Sequence, residues 1–377
     1  MKDVWSQIAS DLERGNFTRV RDSLRSGGSD LVELLKDNHA SSELFEEGLA
    51  CACMIGDRDA ANKLLDLGVS PISTRSGQSA FHYAAMRGDP ELVDLLLEYR
   101  VPLETKNQYD GTILGQALWS AMNEPMPLHG RVIEQLVENG AHVWPGTLEW
   151  WREQTVPSAE TKSQVEEALI RHVEFHRRLE SARERVTQAR GIGDRRDLAN
   201  ALKDLGNIER RPPFLREAAL ETYAEAAAIF HDINLPLEEA WVLRHVGIIH
   251  EYAEQLELAE QYYDRALALY REHGTDDLDH ANAVRYPAVV KNRLGKRAES
   301  EELWRETVDR YVRIGIPEGI VEGLLHLTNF ALDRGNIGDA NVWFDKAERA
   351  AARSHDKDTH AFVERVRERF TKAEQKG

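Results

Sequence analysis

His172 and His176 stand four residues apart in Val165–Arg190, a highly charged stretch whose spacing predicts one long helix. Imidazoles at that spacing share a helical face and could ligate one metal ion. The helical metalloprotease pattern needs Glu directly after the first His, but Val173 is there, and Arg171, Arg177 and Arg178 oppose a divalent cation. A metal-dependent enzyme site around His172, Glu174 and His176 is therefore the competing expectation, against a solvated helix face. His245 and His250, five apart, fall on different faces. Cys51 and Cys53, two apart in a helix, diverge by about 200° and read as buried structural thiols. Gly191-Ile192-Gly193-Asp194 follows a helix rather than a strand and lacks Lys-Ser or Lys-Thr, so it reads as a helix end, not a phosphate loop. No Gly-x-Ser-x-Gly elbow occurs. The residue types predict no catalytic group, no resident metal and no cofactor.

Composition narrows the partners. The 377 residues carry 48 Lys plus Arg against 65 Asp plus Glu, a net charge of −17. That field repels phosphate backbones and anionic lipid, so neither nucleic acid nor membrane is expected as a partner. No stretch approaches the ~18 apolar residues of a spanning helix. Met1–Gln7 has no apolar run after Lys2, and only two cysteines occur, so the expected location is cytoplasmic.

The elements that would position any site are repeats. Residues 77–99 read as helix, Gly-Asp turn, helix: Phe81, Ala84 and Ala85 share one face, and Leu92, Val93, Leu96 and Leu97 form the stripe of the second helix. Leu49, Ala52, Cys53, Gly56 and Asp57 repeat Phe81, Ala84, Ala85, Gly88 and Asp89 upstream. Thr112, Leu114 and Ala117 repeat Ser79, Phe81 and Ala84 downstream, and a degenerate copy turns at Arg14-Gly15-Asn16. Residues 1–147 thus resemble four ankyrin repeats, with Ser79-Ala80-Phe81-His82-Tyr83-Ala84 in place of Thr-Pro-Leu-His-x-Ala. The resemblance implies stacked helix pairs, with a capping role for His82. The last copy carries an insertion, Asn123–His129, whose apolar tip either projects as a binding finger or, the favoured expectation, folds back over the end of the array.

From Leu198 the period lengthens to about 41. Gly247, Ala288 and Thr328 hold one small position, and the partner helices read small–aromatic–small: Ala219-Tyr223-Ala226, Ala259-Tyr263-Ala266, Ser300-Trp304-Thr307 and Ala340-Phe344-Ala347. A bulky knob between two small residues lets neighbouring helices lock together. This stretch resembles four tetratricopeptide repeats. The expected architecture is all-α, a double α-solenoid: an ankyrin-repeat domain at 1–147, a stiff helical connector at 148–197 and a tetratricopeptide domain at 198–377, with a closing helix at Thr359–Lys372.

The tetratricopeptide resemblance implies that the first helix of each pair lines a concave face. Lys203, Arg244 and Arg285 then make a ladder of cations, with Leu325 at the fourth rung and Asn207 adding an amide. Lys203 with Asn207 is similar to the Lys/Asn pair with which some members hold a peptide's terminal carboxylate, although Asn282 and Tyr286 stand where further basic residues would be expected. The ladder either binds an acidic peptide or pairs with Glu238, Glu239, Glu251 or Glu322. Trp241 and Tyr252 either anchor a partner or, for Trp241, wedge between repeats. Residues 1–150 carry 13 basic against 23 acidic side chains, which favours a basic partner there. The expected function is non-catalytic: a scaffold or adaptor binding proteins or peptides on repeat surfaces. A regulator that senses a peptide is the variant of that reading.

Overall fold

The computed structural model describes residues 2–72, 77–99, 101–274 and 277–374. Regular structure among them is helical throughout, twenty α-helices and one 3-10 turn at Pro213–Leu215. The chain divides into two compact units: Met1–Arg178 with Pro212–Phe214, and Leu179–Arg211 with Leu215–Gly377.

The first unit stacks antiparallel pairs: α1 (Lys2–Glu13) with α2 (Phe17–Gly27), α3 (Leu31–Asp37) leading into α4 (Ser42–Ile55) with α5 (Arg58–Asp66), α6 (Ala80–Arg87) with α7 (Pro90–Glu98), and α8 (Ile113–Asn123) with α9 (His129–Glu138). Then come α10 (Thr147–Glu153) and the long α11 (Ala159–Ile192), whose residues are shared between the two units. Six helices, α3 to α8, start where the sequence supplies an acceptor for bare backbone N–H groups: Asp30, Ser41, Asp57, Ser79, Asp89 and Thr112 all cap through their side chains. Helices α4 and α6 stop at Gly56 and Gly88, both left-handed at φ 80° and 65°. One continuous apolar core, from Ile8 to Leu169, runs through the unit.

Neighbouring pairs are joined by polar contacts at fixed places. His82 sits at the third position of α6, its Nδ1 against the Ser79 hydroxyl at 2.7 Å and its Nε2 against the Gly111 carbonyl at 3.1 Å. Arg87 donates to the Met54 carbonyl, and His129 Nε2 meets the Met86 carbonyl at 2.9 Å. His129 also accepts from the Met126 backbone N–H at 2.9 Å. That anchor corrects the expectation for the insertion. His129 is fully buried and pins the base of the loop, while Met126 and Leu128 are 45% and 51% exposed, so the tip projects instead of folding back.

The second unit pairs α12 (Arg195–Glu209) with α13 (Arg216–Asp232), α14 (Pro236–Tyr252) with α15 (Leu256–His273), α16 (Leu278–Arg293) with α17 (Arg297–Ile314), and α18 (Pro317–Asp333) with α19 (Ile337–Ala351). Helix α20 (Lys357–Glu374) closes it against α18 and α19. Pro236 and Pro317 start α14 and α18 at the position where proline's missing N–H costs nothing, and Asp277 caps α16.

The aromatic knobs seat where the small residues leave room. The Tyr223 ring lies on Gly206 and the Tyr263 ring on Gly247, so close that a Cβ on either glycine would fall 2.6 or 2.5 Å from a ring carbon. Each knob also meets a ring of the next first helix: Tyr223 with Trp241 (6.4 Å between centroids), Tyr263 with Tyr286 (5.4 Å), Trp304 with His326 (4.2 Å) and Phe344 with Phe370 of α20 (5.7 Å). One side chain thus closes its own pair and carries the contact to the next.

The Gly247→Ala variant tests this seat. Tyr263 is held by its hydroxyl donating to Glu251 at 2.7 Å and by Tyr286, so it has little room to yield. Overpacking of about 1–3 kcal/mol should exceed the roughly 1 kcal/mol of helix propensity that alanine adds. Chemical denaturation should show a lower midpoint; an unchanged or higher one would mean the ring has space.

Candidate functional site

The candidate surface is the face of the second unit built by the first helices, α12, α14, α16 and α18. Its polar groups form pairs that cross from one first helix to the next. Lys203 Nζ donates to Glu238 at 2.6 Å, Arg244 Nη2 to Asp279 at 2.5 Å, and Arg285 to both oxygens of Glu322 at 2.6 and 2.7 Å. Of the two expectations for the ladder, pairing is the arrangement present, with Asp279 in place of Glu239 or Glu251. Glu239 instead meets His231 at 3.1 Å, and Glu251 accepts from Tyr263. The fourth rung, Leu325, is buried core.

Rings lie against the cations. Lys203 Nζ is 5.2 Å from the Trp241 ring centroid, and Tyr286 has the Arg244 and Arg285 guanidinium groups at 5.8 and 5.2 Å. Trp241 is half-buried, stacked on His245 of its own helix at 3.6 Å, and meets Tyr223 and Lys203 of the preceding pair, so it wedges between repeats. Tyr252 is 67% exposed with Arg216 5.4 Å from its ring. Asn207 accepts from Arg210 Nε at 2.9 Å. Arg244 is 5% exposed and acts inside the face, whereas Arg285 reaches a recess of about 470 Å³ shared with Tyr311, Phe362 and Arg365 and with the carboxylates of Glu318, Asp356 and Asp358. Arg365 is exposed and lies over the Phe362 ring; among the described residues no carboxylate is paired with it.

Burial opposes the charge on Arg285, but the Glu322 carboxylate outweighs it and holds the pKa above the usual arginine range. At His245, burial, reinforced by the Arg244 charge, pushes the imidazole down to about 3. Sequence reasoning missed Asp279. Its signal was present: a carboxylate follows each ladder cation by 35, 35 and 37 residues, a second periodicity at nearly the repeat length.

The chemistry read from the first unit resolves differently. His172 and His176 do share a face, with centroids 4.2 Å apart. Among the described residues no group of three His, Cys, Asp or Glu is placed to hold a metal, and Glu174 is exposed, so the metal-centred alternative finds no third ligand there. Cys51 and Cys53 are both free and fully buried; burial pushes the Cys51 thiol up to about 12 and Cys53 higher still. Among the described residues no helix is long and apolar enough to cross a membrane.

Residues 49–145 match the family model described as ankyrin repeats in three copies, which leaves the opening pair α1–α2 outside the match. No curated protein matches the chain. Among solved structures, BtubC (BKLC) from P. vanneervenii is 17% identical, with 53% of this chain and 87% of that chain covered and a TM-score of 0.45. A Signal Transduction ATPase with Numerous Domains protein with a tetratricopeptide repeat sensor, from Pyrococcus horikoshii, is 18% identical over 86% of this chain and 49% of that one, with a TM-score of 0.44. A Rap protein complexed with Competence and Sporulation Factor is 11% identical over 99% and 98%, with a TM-score of 0.38.

The buried His245 makes stability depend on pH with a definite sign. Its folded pKa lies below the unfolded value near 6.5, so the unfolded chain binds the extra proton. Stability contributed by the neutral ring is whole above about pH 6.5 and falls as the pH drops toward 3. The melting temperature should decline from pH 7 to pH 4, and His245→Gln should flatten that decline relative to the parent; parallel curves would place the acid sensitivity elsewhere.

Proposed function

We propose that the chain is a non-catalytic scaffold or adaptor in which ankyrin repeats (1–147), a connecting segment (148–197) and tetratricopeptide repeats (198–377) present separate surfaces to protein partners. The observation that carries this is the first-helix face of the second unit, where aromatic rings and guanidinium groups alternate along a preformed surface. Lys203, Asn207, Trp241, Arg244, Tyr252 and Arg285 make that face. Its ladder cations are already neutralised, so a partner carboxylate would have to compete with Glu238, Asp279 or Glu322 at each rung. Arg244 and Lys203 chiefly hold the shape of the face. A partner reaches Tyr252, Arg285 and Arg365, and an acidic segment finds its open cation at Arg365. Aromatic and arginine side chains are the usual anchors of such contacts. The acidic first unit favours a basic partner. Two buried thiols suit a reducing, cytoplasmic setting.

Affinity capture from the native host, with the full chain as bait, tests the face. Tyr252→Ala and Arg365→Glu alter exposed side chains and should leave helicity intact by circular dichroism. Together they should lower recovery of the second-unit partner by about tenfold, the scale of a lost interface anchor. Undiminished recovery would remove this face from the interaction.

A further inference from the structure

A second recess lies inside the first unit, with a volume of about 400 Å³, where the chain leaves α9 and runs through α10 beside the first half of α11. Its walls are apolar and aromatic, with Trp144, Leu148, Val173 and Phe214, and His142, His172 and His176 at its edge. Backbone packing builds it. Gly140 (φ 97°) lets the Phe214 ring close on the chain, since a Cβ there would lie 2.7 Å from the ring. His142 meets Trp144 edge-on at 4.5 Å, and its backbone N–H donates to Glu104 at 2.8 Å.

The charges lining this recess have one sign. No Lys or Arg contributes to it, and its carboxylates, Glu104 and Glu149, are exposed and have no ion-pair partner among the described residues. Of the cations on this stretch of α11, Arg171 is committed to Glu134 and Glu138, while Arg177 and Arg178 are exposed and do not line the recess. Burial, reinforced by His176 and His142, pushes His172 down to about 4, so this ring is neutral at pH 7. An exposed indole beside two carboxylates that have no ion-pair partner, Glu104 also accepting from the His142 backbone N–H, is a setting for a cation with an apolar stem. We propose that the recess around Trp144, Glu104 and Glu149 receives a lysine or arginine side chain from a basic segment of a partner protein.

A partner segment is favoured over a free organic cation by the surroundings. Trp144 is 66% exposed, Val173 49% and Phe214 42%, an apolar rim that a flanking chain would cover and a small ion would leave wet. The acidic excess of the first 150 residues, 23 carboxylates against 13 cations, attracts the same class of partner. The inference rests on the interaction reading for the source of the cation and uses none of the residues of the second unit's face.

The test uses the full chain and two tripeptides of one shape, acetyl-leucyl-arginyl-leucinamide and its citrulline analogue, which lacks the charge. Binding is read from the tryptophan indole N–H resonances, with Trp144 assigned by Trp144→Phe. The arginyl peptide should shift the Trp144 resonance saturably and bind about tenfold more tightly than the citrulline peptide. Trp144→Ala, followed by titration calorimetry because the variant lacks the reporting indole, should weaken it about tenfold, and Glu149→Gln about threefold with a shallower salt dependence, the scale of a cation–π contact and a partly screened carboxylate. Trp144 is exposed, so its loss should not unfold the unit, as circular dichroism will show. Equal binding of both peptides, shifts at other tryptophans only, or no binding by the arginyl peptide overturns the proposal. Those outcomes leave partner capture through Tyr252 and Arg365 untouched, and a failed capture leaves the peptide result standing.

Discussion

The seating of an aromatic ring on a small residue of its own helix pair governs the second unit. Tyr223 on Gly206 and Tyr263 on Gly247 bring paired helices close enough for the ring to project toward the next pair. There it finds Trp241 or Tyr286, and the pattern continues through Trp304 and His326 to Phe344 and Phe370. The apolar residues form several small clusters along the unit. Cohesion is therefore a sum of nearest-neighbour terms, as expected of stacked repeats, and it depends on every knob finding its socket.

Charge follows the same geometry. Once the pairs are stacked, the first helices run side by side, and a cation on one faces the start of the next. Glu238, Asp279 and Glu322 meet Lys203, Arg244 and Arg285 there, and Lys291 is enclosed by Glu260, Asp264 and Glu299 on another side of the unit. Such pairs oppose slippage between repeats, because shifting the register would leave a partly buried charge without its partner. The consequence for recognition is direct: a row of cations that looks available to an acidic ligand is spent on internal joints. What remains on the surface is ring area and the few cations, such as Arg365, outside the joints.

The first unit solves the same stacking problem with capping groups. Ser79 with His82, Arg87 over Gly56 and His129 over Gly88 tie each pair to its neighbour through backbone carbonyls. Few of its acidic side chains are used in these ties. The unit keeps much of its negative charge at the surface.

The helices, their pairing and the ankyrin character of 49–145 were legible in the sequence, because 3.6-residue apolar spacing, capping residues and turn glycines are local signals repeated along the chain. The small–aromatic–small motif likewise marked the knobs in advance. Which ring each knob would meet was legible only in hindsight: His245, Tyr286 and His326 each stand two residues before the small position, and Tyr223 meets His245 at 6.2 Å as well as Trp241, but only stacking brings these rings to the knobs. Tertiary structure also decided between free and paired cations: Arg244 and Asp279 are 35 residues apart and become neighbours only when two repeats pack. It exposed the tip at Met126 and Leu128 by burying His129, and it gathered Glu104, Trp144, Glu149 and His172 around one recess. Local periodicity specifies elements; contacts between elements depend on distances that no single segment contains.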